Sequence, residues 1–262
     1  MQKTLRKVLR AVANFDPDYY DMYADANEAC FARLYVERIV RYTQQAGIQP
    51  QATLLEAGCQ AGRLVIPFAR LGFCVTGIDT SAFALRRAKR HASAAGVEAE
   101  FIRGDLLDVL GQSRQQYDVV VCAEVLYLSP RYRQMLEALA KAVRPGGLLC
   151  VSHRSKFYYL LEAMKQYDLE TAATVLQRHE GPFRDSRYYN WQTQEDLRAL
   201  YRAVGFRILA LEPIDRFAWL GGMNPSQLTN DQRDTWVKLE LESSHEAAMC
   251  ARYVLVIAAH PE

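Results

Sequence analysis

The sequence predicts an α/β fold in which an open, mostly parallel sheet carries helices on both faces. From residue 53 onward, short apolar segments alternate with longer segments of helical composition, a rhythm typical of βαβ units. Right-handed crossovers then place helices on both faces of the sheet. Glycines and polar residues follow the apolar segments directly, at 56–62, 79, 105, 122–127 and 153. Sheets of this kind bind ligands at the carboxyl ends of their strands, so these positions are the candidate site.

The elements follow one another regularly along the chain. The predicted strands are 53–57, 73–78, 99–103, 117–122, 148–152, 206–211 and 250–258. The predicted helices cover 63–71, 81–95, 131–143 and 193–204, with a further helical segment at 231–247. Gly72 follows the first of these helices, where a glycine cap is common. The 117–122 strand is almost entirely apolar, which indicates that both of its faces are covered.

Two regions interrupt the rhythm and suggest the domain organisation. We expect an N-terminal helical cap over 1–50, beginning with an amphipathic stretch, and a main domain over 51–262 with cap insertions near 154–190 and 212–235. These insertions are rich in aromatic residues, which suit either the wall of a site for a flat or apolar small molecule or the core of the cap itself. The aromatic residues concerned are Phe157, Tyr158, Tyr159, Tyr188, Tyr189, Trp191, Phe217 and Trp219.

Composition narrows the functional classes. The 262 residues include 32 basic and 30 acidic side chains, a net charge of +2, which gives no general reason to expect nucleic acid or a membrane as partner. A basic run at 86–91 is the local exception. The six cysteines lack CxxC spacing, so we expect no metal site. Four of them fall inside apolar runs, where we expect buried, reduced thiols, as in a cytoplasmic protein: Cys74, Cys122, Cys150 and Cys250. No stretch is apolar enough to span a membrane, and a homodimer is compatible with the sequence.

The stretch LLEAGCQAGRL, residues 54–64, has the form of a strand, a glycine turn and the start of a helix. A dinucleotide fingerprint needs the spacing G-x-G-x-x-G, in which the second glycine clears a pyrophosphate. Here Gln60 stands where that glycine would be, between Gly58 and Gly62. A phosphate loop would require Gly-Lys-Ser/Thr, which is also missing. The loop therefore suits a nucleoside without phosphates, and a nicotinamide-dependent dehydrogenase is disfavoured.

Five motifs in order complete the pattern: EAGCQAGR, GIDTS, GDL, YDVVVCAEVLY and RPGG. Together they resemble the class I S-adenosylmethionine-dependent methyltransferases, of the small-molecule branch. The resemblance covers 53–153, and the strands within 206–258 fit the family's sixth and seventh strands. It implies a Rossmann-like, doubly wound, mostly parallel seven-stranded sheet with a final antiparallel strand and a helical, aromatic cap. It also implies S-adenosyl-L-methionine as the cofactor.

The resemblance, together with the placement at strand ends, assigns candidate roles in binding the cofactor. Glu56 is expected to accept a hydrogen bond from the ligand's ammonium group, and Asp79 to accept both ribose hydroxyls. Asp105 and the amide of Leu106 are expected at the adenine, and the carbonyl of Cys122 at the ammonium. The glycines allow a close backbone approach. The remaining candidates are Tyr20, Tyr23, Gly58, Cys59, Gly62 and Thr80. For each acid alone, a helix cap or a turn is an equally good explanation.

Candidate catalytic residues follow strands four and five: Glu124, Tyr127 and His153. A general base is needed only when the acceptor carries a proton at the working pH, and His153 is the best-placed imidazole. Upstream, Tyr19, Tyr20 and Tyr23 form either a lid over the sulfonium, since aromatic faces attract cations, or part of a packed cap.

The expected function is methyl transfer to a small molecule at O, N, S or C. The segment after strand four is not Asn/Asp-Pro-Pro-Tyr/Phe, which argues against the nucleobase and glutamine nitrogens that this motif holds in related enzymes. One alternative is RNA modification, suggested by the 86–91 run. The other is a non-catalytic binding module, suggested by Gln60 in the loop. The sequence leaves the acceptor and its reacting atom open.

Overall fold

The computed structural model describes residues 20–183, 187–243 and 245–261. Within them, seven strands form one sheet: β1 Thr53–Ala57, β2 Cys74–Asp79, β3 Glu100–Arg103, β4 Tyr117–Cys122, β5 Val143–His153, β8 Arg207–Ile214 and β9 Tyr253–Ala259. Two short strands, β6 Glu180–Phe183 and β7 Arg187–Asn190, form a separate hairpin. The predicted N-terminal stretch and Tyr19 lie outside the described residues.

The strand order is β3-β2-β1-β4-β5-β9-β8. Neighbours from β3 to β5 pair in parallel, and β9 runs antiparallel to both β5 and β8. This confirms the predicted Rossmann-like sheet with its final antiparallel strand. The order reverses between β1 and β4, so a crevice opens at the carboxyl ends of these two strands.

Helices cover both faces, and their bounds are α1 Ala26–Gln45, α2 Val65–Arg70, α3 Ala82–Ala94, α4 Leu106–Gln112, α5 Tyr132–Lys141, α6 Lys156–Met164, α7 Leu169–Gln177, α8 Gln194–Ala203, α9 Phe217–Gly221 and α10 Asn230–Glu242. One apolar core lies between the sheet and α1, α2, α3 and α10, and a second lies between the sheet and α4, α5 and α8. Alternate residues of the buried strands enter opposite cores, as the pleat of a strand requires.

Helix α1, which falls in the predicted helical cap over 1–50, packs against the sheet as part of the main core. Leu34, Tyr35 and Ile39 are fully buried against the sheet. On the same helix, the guanidinium of Arg38 forms a buried ion pair with Glu212 of β8. The hydroxyl of Tyr42 donates to that carboxylate at 2.7 Å. Because a buried charge is costly unless it is paired and hydrogen-bonded, this contact fixes α1 on the sheet.

The segment after β5 forms a small cap from α6, α7 and the β6–β7 hairpin. Its core is made by Tyr159, Phe183 and Trp191 with three small side chains. The indole N–H of Trp191 donates to the carbonyl of Arg178 at 2.7 Å. Most of the aromatic residues of 154–190 therefore build the cap itself. Phe157 is instead exposed.

Candidate functional site

A cavity of about 520 Å³ opens at the carboxyl ends of β1, β2 and β4, within the size range of small-molecule sites. It lies at the point where the strand order reverses. Its lining residues are Met22, Glu56, Gly58, Cys59, Gln60, Arg63, Ile78, Asp79, Thr80, Gly104, Asp105, Leu106, Ala123, Glu124, Val125, Tyr127, Leu128, Ser129, Arg131 and Met135. We call it the cofactor cavity.

The glycine loop forms one wall of the cofactor cavity. The amides of Gly58 and Cys59 both donate to the carbonyl of Ile78, at 2.8 and 3.0 Å, which ties the loop to β2. Gly58 has φ +83°, and a methyl group there would lie 2.4 Å from Cγ2 of Val125. Only glycine satisfies both conditions. Gly77 on β2 has a related role that the sequence did not reveal, because a side chain there would meet the sulfur of Cys59 at 2.8 Å.

Gly62 is required for a different reason from the one predicted. It has φ +88°, but a methyl group there would meet Ile66 at 3.2 Å and Ala88 at 3.5 Å, on helices α2 and α3. It does not line the cofactor cavity. The second glycine of the loop therefore serves helix packing, and the expectation that its backbone passes beneath the ligand is wrong.

Glu56 lies at the end of β1 and is only 4% exposed. Within the described part of the chain, its Oε2 atom has no hydrogen-bond partner. Burial raises the pKa of Glu56 to about 8, and the nearby Arg63 guanidinium opposes this rise. A buried carboxyl oxygen without a donor in a cavity wall is a position for a cationic or hydrogen-donating ligand group.

Asp79 ends β2 and connects three parts of the site. Its Oδ2 accepts the amide of Gln60 at 2.9 Å, and its Oδ1 accepts the amide of Ser81 at 2.8 Å. Ser81 is the residue that caps α3 with its hydroxyl. A carboxylate can accept about four hydrogen bonds, so Asp79 retains capacity for two ligand hydroxyls while holding the loop in place. Thr80 lines the cavity beside it.

Asp105 also lines the cavity, but its structural partners are clear. Its side chain accepts the amide of Leu107 at 2.9 Å and caps α4. Its other oxygen accepts from Arg131 at 2.7 Å, and this bond holds the pKa of Asp105 below its usual range. The amide of Leu106 belongs to the first turn of α4, where N–H groups lack intrahelical acceptors. It is therefore available to a ligand acceptor.

The N-terminal segment, residues 20–25, crosses the cofactor cavity and is held by Gln60. The Gln60 side chain accepts the Met22 amide and donates to the Tyr20 carbonyl, both at 3.2 Å. Gln60 itself has φ +44°. Asp21 of the same segment pairs with Arg87 and His91 of α3, each at 3.0 Å. Two members of the basic 86–91 run thus have a structural role within the chain.

Of the tyrosines predicted to form a lid, Tyr20 and Tyr23 do not line this cavity, and Tyr19 lies outside the described residues. Met22 is the member of the segment that lines it. Tyr23 instead stacks on His91 with ring centroids 4.6 Å apart. Tyr20 is 52% exposed and lines a neighbouring cavity. The placement of Tyr20 and Tyr23 against the cofactor cavity is therefore wrong in this structure.

Two of the three predicted catalytic residues reach the cavity. Glu124 has φ +63° and bonds to the guanidinium of Arg63 at 2.8 Å. Burial opposes its ionisation, but the Arg63 charge outweighs it and lowers the pKa of Glu124. Such a carboxylate is a poor proton acceptor. Tyr127 lies beneath the guanidinium of Arg154, 4.6 Å from its ring centroid, and burial raises its pKa.

His153 is in the core and not at the cavity, which corrects the prediction. It is fully buried, and its Nε2 lies 3.1 Å from the hydroxyl of Tyr201 on α8. Burial lowers the pKa of His153 to about 4, so it is neutral. Residues of a strand alternate between faces: Ser152, one position earlier, accepts the Glu124 amide at 2.6 Å at the site. His153 therefore faces the opposite layer.

The expected role of Cys122 is that of its backbone carbonyl at the ammonium, and that role stays a prediction. The Cys122 side chain is completely buried in β4, and the cavity wall at this strand end is formed by Ala123. Burial also raises the pKa of the Cys122 thiol far above its usual value, so the sulfur is an unreactive core group. Cys59 does line the cavity, and burial raises its thiol pKa in the same way.

Arg63 is the central residue that the sequence did not reveal. It is 5% exposed and forms ion pairs with Glu28 of α1 and Glu124 after β4. These partners stand 35 and 61 residues away in the chain, so no local pattern indicates them. The sequence feature that could have indicated a buried Arg63 is its position directly before the apolar run LVIPF. A buried arginine requires carboxylate partners.

The cavity fits the cofactor that the sequence suggests. The unpartnered Oε2 of Glu56 suits an ammonium, Asp79 suits vicinal hydroxyls, and the glycine wall at Gly58 admits close backbone approach. The described residues that line the cavity include no lysine. Among the described residues, no three His, Cys, Asp or Glu side chains are grouped to hold a metal ion. In the same ranges, no helix combines the length and apolarity needed to cross a bilayer.

Sequence comparison identifies relatives over the first half of the sheet. Residues 54–147 match the family model described as a methyltransferase domain. Ubiquinone biosynthesis O-methyltransferases from Salmonella newport (strain SL254) and Salmonella typhi are each 36% identical over 110 residues. That match covers 42% of this chain and 46% of each relative. The chain thus spans about half the length of the curated relatives it matches.

Structural comparison extends over the whole chain. Magnesium protoporphyrin IX methyltransferase from Synechocystis PCC 6803, solved with bound SAH, has a TM-score of 0.64 at 19% identity, covering 99% of this chain and 100% of that one. An S-adenosylmethionine-dependent methyltransferase from Clostridium acetobutylicum ATCC 824 has a TM-score of 0.58 at 10% identity, covering 100% and 99%. At these identities the likeness establishes the fold. The motifs, the methyltransferase domain matched over residues 54–147 and the fold together support a class I S-adenosylmethionine-dependent methyltransferase.

Proposed function

We propose that this protein transfers the methyl group of S-adenosyl-L-methionine to a small-molecule acceptor. The observation that carries the proposal is the cofactor cavity, in which the unpartnered Glu56 carboxyl, the Asp79 carboxylate and the Gly58 wall face one space. The relatives named for ubiquinone biosynthesis and for magnesium protoporphyrin IX support a small molecule as acceptor.

The roles of the residues follow from their chemistry. When bound, S-adenosylmethionine supplies an electrophilic methyl group on a sulfonium. Glu56 would hold the ammonium end, Asp79 the ribose hydroxyls, and the Leu106 amide a nitrogen of the base. Methyl transfer is an in-line displacement, for which correct placement of the nucleophile is the main requirement. The fixed loop and the N-terminal segment provide that placement by holding the ligand between them.

Calorimetric and thermal titration with S-adenosylmethionine and S-adenosylhomocysteine tests the proposal. At a ligand concentration of one hundred times Kd, stabilisation of about 2.7 kcal/mol is expected, or roughly 5–10 °C in Tm for a protein of this size. Absence of both heat and thermal shift would refute the function.

A matched pair of variants tests the assignment of Asp79. Asp79→Ala removes a charge-assisted hydrogen-bond acceptor worth roughly 1.5–3 kcal/mol, so Kd should rise at least about tenfold. Glu98→Ala is the control, because Glu98 is an exposed carboxylate in the turn before β3 and does not line the cofactor cavity. Equal affinities for the two variants would contradict the ribose role of Asp79.

A further inference from the structure

The cap meets the sheet at three consecutive residues, Asn190, Trp191 and Gln192, all of which are buried. The indole N–H of Trp191 bonds inside the cap, to the carbonyls of Val175 and Arg178 at 3.2 and 2.7 Å. The amide side chains on either side of Trp191 have different partners. Buried amides need hydrogen bonds, and those of Asn190 lead out of the cap toward the cofactor cavity.

The side chain of Asn190 holds a turn that follows β4. Its Nδ2 donates to the carbonyl of Leu126 at 2.8 Å and to the carbonyl of Ser129 at 3.3 Å. These two carbonyls lie at the start and just past the end of a short 3-10 helix, Leu126–Leu128. We call residues 126–129 the wall turn. A primary amide has two N–H donors, so Asn190 uses both of them on the wall turn.

The wall turn belongs to the cofactor cavity, which is lined by Tyr127, Leu128 and Ser129. Arg131, two residues beyond the wall turn, lines the cavity as well. Its guanidinium bonds to Asp105 at 2.7 Å, on the side where the base of the cofactor is expected. A displacement of the wall turn would therefore change both the shape of the cavity and the position of Arg131.

Gln192 fixes the orientation of Asn190. The Nε2 atom of Gln192 donates to Oδ1 of Asn190 at 2.9 Å, which turns the N–H groups of Asn190 toward the wall turn. The carbonyl of Gln192 accepts the Lys156 amide at 3.0 Å, which joins this segment to the start of α6. Burial lowers the pKa of His153, and the neighbouring Gln192 side chain opposes this effect. Buried polar groups thus lead from Tyr201 and His153 through Gln192 to the wall turn.

We propose that Asn190 is a positioning residue that couples the cap to the cofactor cavity. By fixing the wall turn it raises the affinity for S-adenosylmethionine, and the bound cofactor in turn stabilises the cap. This rests on the proposed methyltransferase function. The element with two arrangements is β7, which is either bonded through Asn190 to the wall turn or detached from it. Coupling between two sites is reciprocal, so each of the two effects requires the other.

A matched pair of variants tests the coupling. Asn190→Ala removes both bonds to the wall turn. Couplings between sites change affinity by about 5–150-fold, so the Kd of S-adenosylhomocysteine should rise at least about fivefold. Trp191→Phe is the control, because it removes the two indole bonds inside the cap and leaves those of Asn190 in place. It should lower Tm and change Kd less than twofold. Unchanged affinity of Asn190→Ala, or equal losses in both variants, would overturn the proposal.

The reciprocal effect is measured in the wild-type protein, so this test does not depend on a variant that folds. Saturating S-adenosylhomocysteine should slow amide hydrogen exchange over residues 187–191 at least about fivefold, since it suppresses local detachment of β7. Exposed amides of α10, which does not line the cofactor cavity, should change less than twofold. If the ligand binds and exchange over 187–191 is unchanged, the coupling is overturned while the proposed function stands. Absence of binding would instead refute the proposed function.

The route of the coupling is tested with 5′-methylthioadenosine, which has the base and ribose of the cofactor but no ammonium group. Because the wall turn carries Arg131 to the base side of the cavity, Asn190→Ala should weaken binding of this ligand and of S-adenosylhomocysteine by the same factor, within twofold. A loss seen with S-adenosylhomocysteine alone would place the effect at the ammonium end near Glu56. That result would overturn the assignment to the wall turn.

Discussion

Glu56→Gln removes the one carboxyl of the cofactor cavity whose pKa is raised to about 8. At pH 7 a group with this pKa is about nine-tenths protonated, and ionising it costs about 1.4 kcal/mol, one pH unit at 1.36 kcal/mol per unit. Pairing with the ligand's ammonium favours the ionised form. Binding of S-adenosylhomocysteine at pH 7 should therefore release close to one proton, about 0.9.

The affinity of the wild-type protein should depend on pH in a defined window. Between about pH 6 and pH 7 the association constant should rise nearly tenfold, and it should level off above pH 8, where Glu56 is already ionised. Glu56→Gln has no group to ionise, so its affinity should be lower above pH 8 and nearly independent of pH. Calorimetry in buffers of different ionisation enthalpy measures the released proton directly.

The same carboxyl affects the stability of the ligand-free protein. Its folded pKa of about 8 lies above the ordinary value of 4.5, so the folded state binds more protons in this window. The contribution of protonated Glu56 to the stability of the folded state is complete below about pH 4.5 and is lost as the pH rises through 8. Between about pH 4.5 and pH 8, the free energy of unfolding of Glu56→Gln relative to wild type should rise by about 1.4 kcal/mol per pH unit. Equal proton release by both proteins, or parallel stability curves, would refute the reasoning.

Three further variants test other parts of the site. Gly58→Ala should lower Tm and abolish cofactor binding. Gly96 has φ +66° and open space around it, so Gly96→Ala should lower Tm only. Similar cofactor binding by the two variants would contradict the close-approach role of Gly58. His153→Gln should reduce stability by about 1–3 kcal/mol and leave kcat within twofold; a large loss of kcat at unchanged Tm would restore its catalytic role. Gln60→Ala should expose the N-terminal segment to protease, and unchanged cleavage would show that Gln60 does not hold it.

The parts of the fold that depend on local pattern were predicted well. Apolar runs placed β1, β2 and β4, because a parallel strand buried on both faces has a nearly continuous hydrophobic sequence. Glu56 and Asp79 were found because each lies at the carboxyl end of a strand, and parallel strands bring their carboxyl ends to one edge of the sheet. These inferences require only the chemistry of neighbouring residues.

The errors and omissions have equally physical causes. His153 lies on the expected strand. Whether a strand residue faces the cavity or the opposite layer changes with a shift of one position in register, and the sequence pattern did not fix that position. Arg63 was missed because its partners are distant in the chain. Met22 was missed because a loop's path over a cavity depends on contacts made by another loop.

The bonds between Gln60 and the N-terminal segment involve only the backbone of that segment, namely the Met22 amide and the Tyr20 carbonyl. The side chains at 20 and 22, which line the neighbouring cavity and the cofactor cavity respectively, are not part of this attachment. They can be replaced during evolution or engineering without detaching the segment, whereas position 60 is constrained. The side chains that face the cavities can thus change, and with them the ligands that bind, while the Gln60 bonds to the backbone keep the segment in place.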